Sequence, residues 1–240
     1  KNMEAVETLG ATSLICSDKT GTITHNRMTV SHIQINQTIV DAIPEQEHPG
    51  HEKLDVTNGT FKALWFIAAL NSKAEFCAFQ ENIEIDDKKV IGDASEKAIL
   101  KFAEKTIGNV MDFRNNHEKV SEIPFSSKWK YQVSVHKVSE TNESHYMVLM
   151  KGAPERILDR CNTILLNGNE IPINNAITDD VLDACLQLAA LGERVIAFCD
   201  KTLSNKQFPP GFKFDSEHLN YPTKRMRFVG LMSLIDPPRT

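Results

Sequence analysis

The sequence predicts an α+β fold, an antiparallel sheet flanked by helices, inserted into a second, doubly wound α/β domain that is only partly present. Three observations predict it. Asn167-Gly168 stands between apolar arms within residues 164–173, a strong short-range hairpin signal. Residues 131–138 alternate Tyr, Val and Val against Gln, Ser and His, as a half-buried strand does. The end strands, 11–17 and 228–235, differ from these. They are short, apolar on both faces and closely followed by Asp18 and Asp236, like parallel strands whose carboxyl ends carry ligands. On this reading segments 1–29 and 226–240 belong to the partial domain, and 30–225 to the inserted one.

Each element has its own signal. Residues 11–17 read as a short buried strand, and the polar run 18–27 as the loop leaving it. The β-branched alternation of 28–40 begins a new sheet, and 41–59, polar and rich in Pro, Gly and His, reads as a surface loop. Thr60 is expected to cap a largely buried helix running to Asn71. Asp93-Ala-Ser-Glu96 is a capping-box pattern, backed by the stripe Ala94, Ala98, Ile99, Phe102 and Ala103 and stopped near Gly108. The strand at 131–138 turns over 139–143 and returns as 145–150. Gly152-Ala-Pro154 opens a helix to about Asn162, with proline in the first turn. Thr178 caps another helix ending at Gly192, 194–199 reads as a buried strand, and 204–225 as a long Pro- and Phe-bearing loop.

Composition excludes several classes. With 41% hydrophobic and 25% charged residues among 240, the chain is neither disordered, collagenous nor a disulfide scaffold. The longest apolar run, 63–70, is far short of the roughly 20 residues that span a bilayer. No secretory signal is read in the opening residues, and a start at lysine suggests a piece excised from a longer protein. A net charge of −5 without a basic run argues against nucleic acid as a partner. Five scattered cysteines without Cys-x-x-Cys fit reduced thiols in a cytosolic compartment. His48 and His51 form the one close histidine pair, a weak metal candidate in a Pro/Gly-rich stretch.

The stretch Ser17-Asp18-Lys-Thr-Gly-Thr-Ile-Thr24 carries the most chemistry. An aspartate after a buried strand, followed by Lys, Gly and threonines, offers a carboxylate nucleophile, hydroxyls and free backbone N–H groups. Those parts suit transfer of a phosphoryl group onto the aspartate, where catalysis is mostly positioning and charge stabilisation. The plainer alternative is a polar turn after a strand.

Asp18-Lys-Thr-Gly-Thr22 resembles the phosphorylation motif of the P-type ATPases, and Asn26-Arg-Met-Thr29 continues that pattern. Gly92-Asp-Ala-Ser-Glu96, Lys151-Gly-Ala-Pro-Glu-Arg156, Leu191-Gly-Glu-Arg194 and Asp236-Pro-Pro-Arg239 follow in the family's order and at about its spacing. Ile123-Pro-Phe125 with Lys130-Tyr-Gln132, and Ile157-Leu-Asp-Arg-Cys161, look like the α-subunits of sodium/potassium and proton/potassium pumps. Ile23, His25, Asn71-Ser-Lys73 and Trp129 depart from the usual pattern.

The resemblance implies a nucleotide-binding domain flanked by stubs of a haloacid-dehalogenase-like phosphorylation domain. It implies ATP and Mg2+ as cofactors, Asp18 as the residue phosphorylated in the full-length protein, and Asp18 with Thr20 as part of the magnesium site. Phe125 becomes the ring on which adenine stacks, and Glu96 faces the adenine amino group. Lys151 lies deep in the pocket, with Gly152 allowing close backbone approach. Lys130 and Gln132, alternating with Tyr131, form a polar wall; Arg194 takes the phosphate side, with Cys199 near it. Each has a plainer alternative: Phe125 as core, Glu96 as the end of a capping box, Lys130 and Gln132 as a solvated face, and Lys151 as a lysine reaching to solvent. A lysine before a helix start has few obligatory packing partners, so Lys151→Glu is expected to keep the melting temperature within a few degrees and to lose most nucleotide affinity through repulsion of the phosphates.

The expected partners are ATP and the rest of the same pump: membrane helices, actuator domain and the remaining phosphorylation domain. A β-subunit would contact the pump outside this piece. The expected setting is the cytoplasmic portion of a membrane protein. The alternative is a haloacid-dehalogenase-type phosphohydrolase with a cap domain, or a proton/potassium-exchanging pump. Thr20 stands where such phosphohydrolases carry a second aspartate, which favours a pump whose phosphoenzyme persists.

Overall fold

Alternating burial along β-branched segments builds most of the molecule. The computed structural model describes residues 27–42, 52–140 and 143–237, together with 3, 10–14, 16, 22 and 24. The chain divides into two units, Met28–Ile235 and a second made of Lys1–Arg27 with Asp236–Thr240.

In the larger unit, β1 (Thr29–Ile35) and β2 (Thr38–Asp41) form an antiparallel hairpin. Asn36 and Gln37 join them, both at positive φ (52° and 63°), the two-residue geometry whose twist matches flanking strands. β3 (Glu52–Lys53) adds to β2 in parallel, inside what reads from sequence as a loop. The rest of that loop, 43–51, lies outside the described residues.

Helix α1 (Gly59–Leu70) forms as expected, but Asn58 rather than Thr60 caps it, its side-chain oxygen accepting from the Thr60 and Phe61 N–H groups. Thr60 is buried and donates its hydroxyl to Asn36 Oδ1 instead. A two-stranded ribbon, β4 (Glu75–Phe76) with β5 (Val90–Ile91), leads to α2 (Ala94–Thr106) and α3 (Val110–Asn115). β6 (Lys119–Ile123), β7 (Tyr131–Glu140) and β8 (Glu143–Gly152) form an antiparallel meander, with residues 141–142 outside the description.

Pro154 opens α4 (Pro154–Leu158), which is shorter than expected: Cys161 already belongs to β9 (Cys161–Leu166). β9 turns through Asn167 and Gly168, both at positive φ, into β10 (Asn169–Pro172). Asn174, not Thr178, caps α5 (Asn175–Ala190) by accepting from the Ile177 N–H. β11 (Arg194–Leu203), the loop 204–225 and β12 (Met226–Ile235) complete the chain of elements.

One sheet collects ten of these strands, running β3-β2-β1-β12-β11-β8-β7-β6, with β9 beside β12 and β10 beside β9. β12 is its spine. Its second half pairs antiparallel with β1, its first half runs parallel to β9, and β11 lies along its other edge. Gly230 marks where β1 passes, because a Cβ there would come within 2.5 Å of the Gln34 carbonyl oxygen.

This overturns the expected split at 225. Residues 226–235 are not the start of a separate parallel segment but a central strand of the antiparallel sheet. The physical reason is coverage: helices α1, α2 and α3 pack on one face and α4 and α5 on the other. A strand buried on both faces is apolar throughout whichever way it runs. The expected buried strand at 11–17 also fails among its described residues: 11–14 and 16 are exposed, Leu14 at 75%, and none pairs with a described strand. In the smaller unit, Asp236 accepts from the Thr24 hydroxyl (2.6 Å) and the Arg27 N–H (3.1 Å).

β7 also buries His136, between the His117 carbonyl (3.1 Å) and the Ser134 hydroxyl (3.0 Å). Burial, chiefly, pushes its imidazole down from the ordinary 6.5 to about 4. The unfolded chain therefore takes up the proton first as pH falls. Stability should drop between pH 6.5 and about 4, by about 3 kcal/mol in all. Urea melts across that window should show a shallower loss for a folded His136→Asn variant; an equal slope would assign the acid sensitivity elsewhere.

Candidate functional site

The cluster that the sequence pointed to assembles where the first turn of α2 meets β7 and β8. Asp93 caps α2, its Oδ1 accepting from the Ser95 N–H at 2.9 Å. Glu96 does not complete a capping box; it accepts elsewhere. Its Oε1 accepts from Lys151 Nζ (2.9 Å) and Gln132 Nε2 (3.0 Å), and its Oε2 from the Lys73 backbone N–H (3.1 Å). Gln132 and Lys151 are register partners on β7 and β8, so their side chains stand on one face. Gln132 Nε2 also donates to Asn71 Oδ1 (2.7 Å), and Asn71 Nδ2 to the Leu149 carbonyl (2.7 Å).

Lys151 is only 5% exposed, so it is not the loosely packed lysine its place before a helix suggests. Burial by itself pushes the Glu96 carboxyl up, but the Lys151 ammonium, the Lys73 N–H and the Gln132 amide outweigh it and hold the group below its ordinary value. For Lys151, burial lowers the pKa more than Glu96 restores it. The pair therefore depends on Glu96: an ammonium this deep without a carboxylate would be costly.

Around this centre lies a polar, partly open rim. Arg194, exposed at the start of β11, donates Nη1 to Ser95 Oγ (3.0 Å), one residue before Glu96. Lys73 and Lys119 both reach Glu122, at 2.8 and 2.7 Å. Phe125, three residues on, is 58% exposed, and Trp129 is 50% exposed with Lys128 Nζ 4.8 Å from its ring centroid. Lys130 is exposed and left-handed (φ 57°), just before β7 begins. Strand alternation therefore does not place it on Gln132's face, and it makes no bond to the Glu96 cluster among the described residues.

Gly152 permits a close backbone approach, but to the protein itself. A Cβ there would collide with the Lys130 carbonyl oxygen and come within 2.6 and 2.7 Å of Tyr131 Cβ and Cα, where the Ala153 N–H donates to the Lys130 carbonyl (2.9 Å). Cys199 stands apart. It is fully buried in the apolar cluster with Met150 and Ile157, whereas its neighbour Phe198 pairs with Lys151 on the opposite face. Asp18 and Thr20 lie outside the described residues, as do His48 and His51. Among the described residues no group of three or more His, Cys, Asp or Glu could hold a metal ion, and no helix is long and apolar enough to cross a membrane.

Sequence reasoning missed Asn71, Ser95, Glu122 and the Lys73 backbone. Asn71 had a readable signal, an amide at the end of an otherwise apolar helix. The others became visible only through their partners.

A buried carboxylate bridged to an ammonium and an amide, near an exposed aromatic loop, can offer hydrogen bonds and a ring face to a ligand. Sheet, helices and cluster together make an α+β domain with a buried, ion-paired polar centre. A sequence model of the family described as "P-type ATPase, cytoplasmic domain N" matches residues 60–240, and the chain belongs to that family. The sodium/potassium-transporting ATPase subunit alpha of Drosophila melanogaster is 49% identical over 239 residues. Subunit alpha-2 of Homo sapiens is 51% identical and subunit alpha-1 of Anguilla anguilla 50%, each over 239 residues. Each alignment covers 100% of this chain, which spans 23% of the length of these relatives. The family sets aside the alternative of a phosphohydrolase with a cap domain.

Proposed function

We propose that Met28–Ile235 is the ATP-binding unit of a sodium/potassium-type cation pump. The observation that carries this reading is the buried Glu96–Lys151 pair, with Gln132 donating to the same Glu96 carboxylate, in a chain of this family. Phe125 stacks on adenine, Glu96 faces the adenine amino group, and Lys151 and Gln132 set the floor of the pocket. Lys130 and Gly152 shape its edge, and Arg194 meets the phosphates.

The residues fit an adenine nucleotide: an exposed ring for the base, and cations for the phosphates beyond it. In 28–235 recognition rests on the base, so ATP and ADP bind without needing Mg2+. Asp18 and Thr20 would hold the metal, which would supply charge neutralisation there, and in the intact pump the Asp18 carboxylate would take the γ-phosphoryl group of ATP as its bond to the β-phosphate breaks and ADP leaves. The segments flanking 28–235 would then be parts of a haloacid-dehalogenase-like domain into which this unit is inserted. Membrane helices, an actuator domain and a β-subunit complete the pump, placing this unit on its cytoplasmic side. The sodium/potassium-transporting relatives support that ion pair over protons and potassium.

Calorimetry with ATP tests the pocket. Phe125→Ala is expected to weaken binding about 5- to 150-fold, from roughly 1–3 kcal/mol for a stacked base. Unchanged affinity in a folded variant would remove Phe125 from the site.

A further inference from the structure

The Leu191–Arg194 motif carries two charges, and the nucleotide reading uses only Arg194. The other, Glu193, is buried, as are His32 on β1 and Ser233 on β12. His32 and Ser233 are register partners, and Asp41 on β2 pairs with His32 from its other side, so the three stand in one row across the sheet. Glu193 reaches into that row just before β11 begins. Its Oε2 lies 2.8 Å from His32 Nδ1 and accepts from the Ser233 hydroxyl at 2.5 Å. Ser233 Oγ also accepts from the His32 N–H (3.2 Å), and Asp41 Oδ1 stands 3.4 Å from His32 Nε2. Burial by itself raises the Glu193 carboxyl, but His32, Ser233 and Ser31 outweigh it and hold the group below its ordinary value. Glu193 in turn raises the His32 imidazole against burial, with Asp41 adding to it.

We propose that Glu193, locked by His32 and Ser233, is a positioning residue for Arg194 and so sets how strongly this chain holds nucleotide phosphates. The proposal rests on the reading that Arg194 meets those phosphates.

Strand alternation links the two residues. Ile196 packs with the α1–α3 cluster and Val195 with the α4–α5 cluster, so Arg194 emerges on the α1–α3 face, where it reaches Ser95 of α2 at 3.0 Å. Ser233 lies between Met232 and Leu234, both in the α1–α3 cluster, and therefore points to the opposite face, where Glu193 meets it. The start of β11 is thus held from one side of the sheet while the guanidinium is delivered on the other. The joint needs holding, because Gly192, just before it, is at φ 78° and glycine's own torsions restrict the exit of the chain least. Charge-assisted bonds from two strands to one carboxylate leave that carboxylate little freedom. Arg194 itself is exposed, so its aim depends on where its backbone lies.

Titrations of the full 240-residue chain with ATP and with adenosine, by calorimetry and NMR, test it. Arg194→Ala should weaken ATP binding about tenfold, the size of one charge-assisted hydrogen bond, and leave adenosine binding unchanged. Glu193→Gln keeps the shape and removes the charge; it should weaken ATP about threefold to tenfold and likewise spare adenosine. In the double variant the two losses should not add, because Glu193 acts through Arg194. If Glu193→Gln fails to fold, Ser233→Ala takes its place in the same cycle, with a smaller loss of the same kind expected. Additive losses, equal losses for ATP and adenosine, or an ATP affinity untouched by Glu193→Gln would each overturn the proposal and leave the lock as a fold-stabilising pair, with Arg194 still at the phosphates. An ATP affinity unchanged in Arg194→Ala would instead remove Arg194 from the phosphates, overturning the reading beneath the proposal as well.

Discussion

Lys151→Glu is expected to destabilise the Met28–Ile235 unit by about 3–5 kcal/mol, lowering its melting temperature by roughly 6–20 °C. The substitution sets a second carboxylate against Glu96, which is buried and would lose its ammonium partner. This reverses the expectation from sequence, where a lysine before a helix start had little to pack against. Binding and stability separate in a double variant. Glu96→Leu with Lys151→Met removes both charges, and buried pairs replaced by apolar groups often cost little. Urea melts should show most of the stability recovered, while ATP affinity stays lost because the polar floor is gone. Should Lys151→Glu melt within a few degrees of wild type, the pair is not buried as described. Should the double variant bind ATP normally, the pocket lies elsewhere.

The second large effect lies along the spine of the sheet. Asp200 on β11 is 2% exposed and faces Arg227, its register partner on β12. The two meet as a fork, Nε to Oδ1 at 2.8 Å and Nη2 to Oδ2 at 2.7 Å. Burial outweighs even this pairing and leaves the Asp200 carboxyl above its ordinary value. Arg227→Met strands that carboxylate, and a loss of about 3–5 kcal/mol is expected at neutral pH. The sign with pH follows. A carboxyl whose folded pKa is raised further favours the folded state only below its unfolded value near 3.8, so the deficit should grow from about pH 4 upward. Melts at pH 4 and pH 7 check it: a deficit equal at both would mean that lost packing, not a stranded charge, is responsible.

Much of the secondary structure was legible because its signals are local. Alternation marked β1, β7 and β8, and Asn167-Gly168 marked the β9–β10 turn, since two adjacent positive φ angles demand such residues. Asp93 caps where expected, but two other helix caps were displaced, by two and four positions. Asn58 and Asn174 cap where Thr60 and Thr178 were expected, because several nearby side chains carry an acceptor and only the entry angle of the chain selects one. The family was readable because its motifs are contiguous. The roles of individual residues were less so: one left-handed residue at Lys130 broke the alternation that joined it to Gln132, and sheet alternation put Cys199 on the face away from Lys151.

By itself, then, the sequence determined many of the strands and helices, which segments carry the family's motifs, and that Glu96, Gln132 and Lys151 are the residues to watch. Periodicity and turn chemistry act over a few residues, so they survive in a string of letters. Only the tertiary structure decided that residues 226–235 form the central strand and that Glu96 pairs with Lys151 rather than capping its own helix. Those outcomes join positions 55 and more apart, as in Lys151–Glu96 and in β12 against β1. Burial on both faces looks the same in sequence for a parallel and an antiparallel strand, and a carboxylate's partner is chosen by distance and desolvation, which no local pattern records.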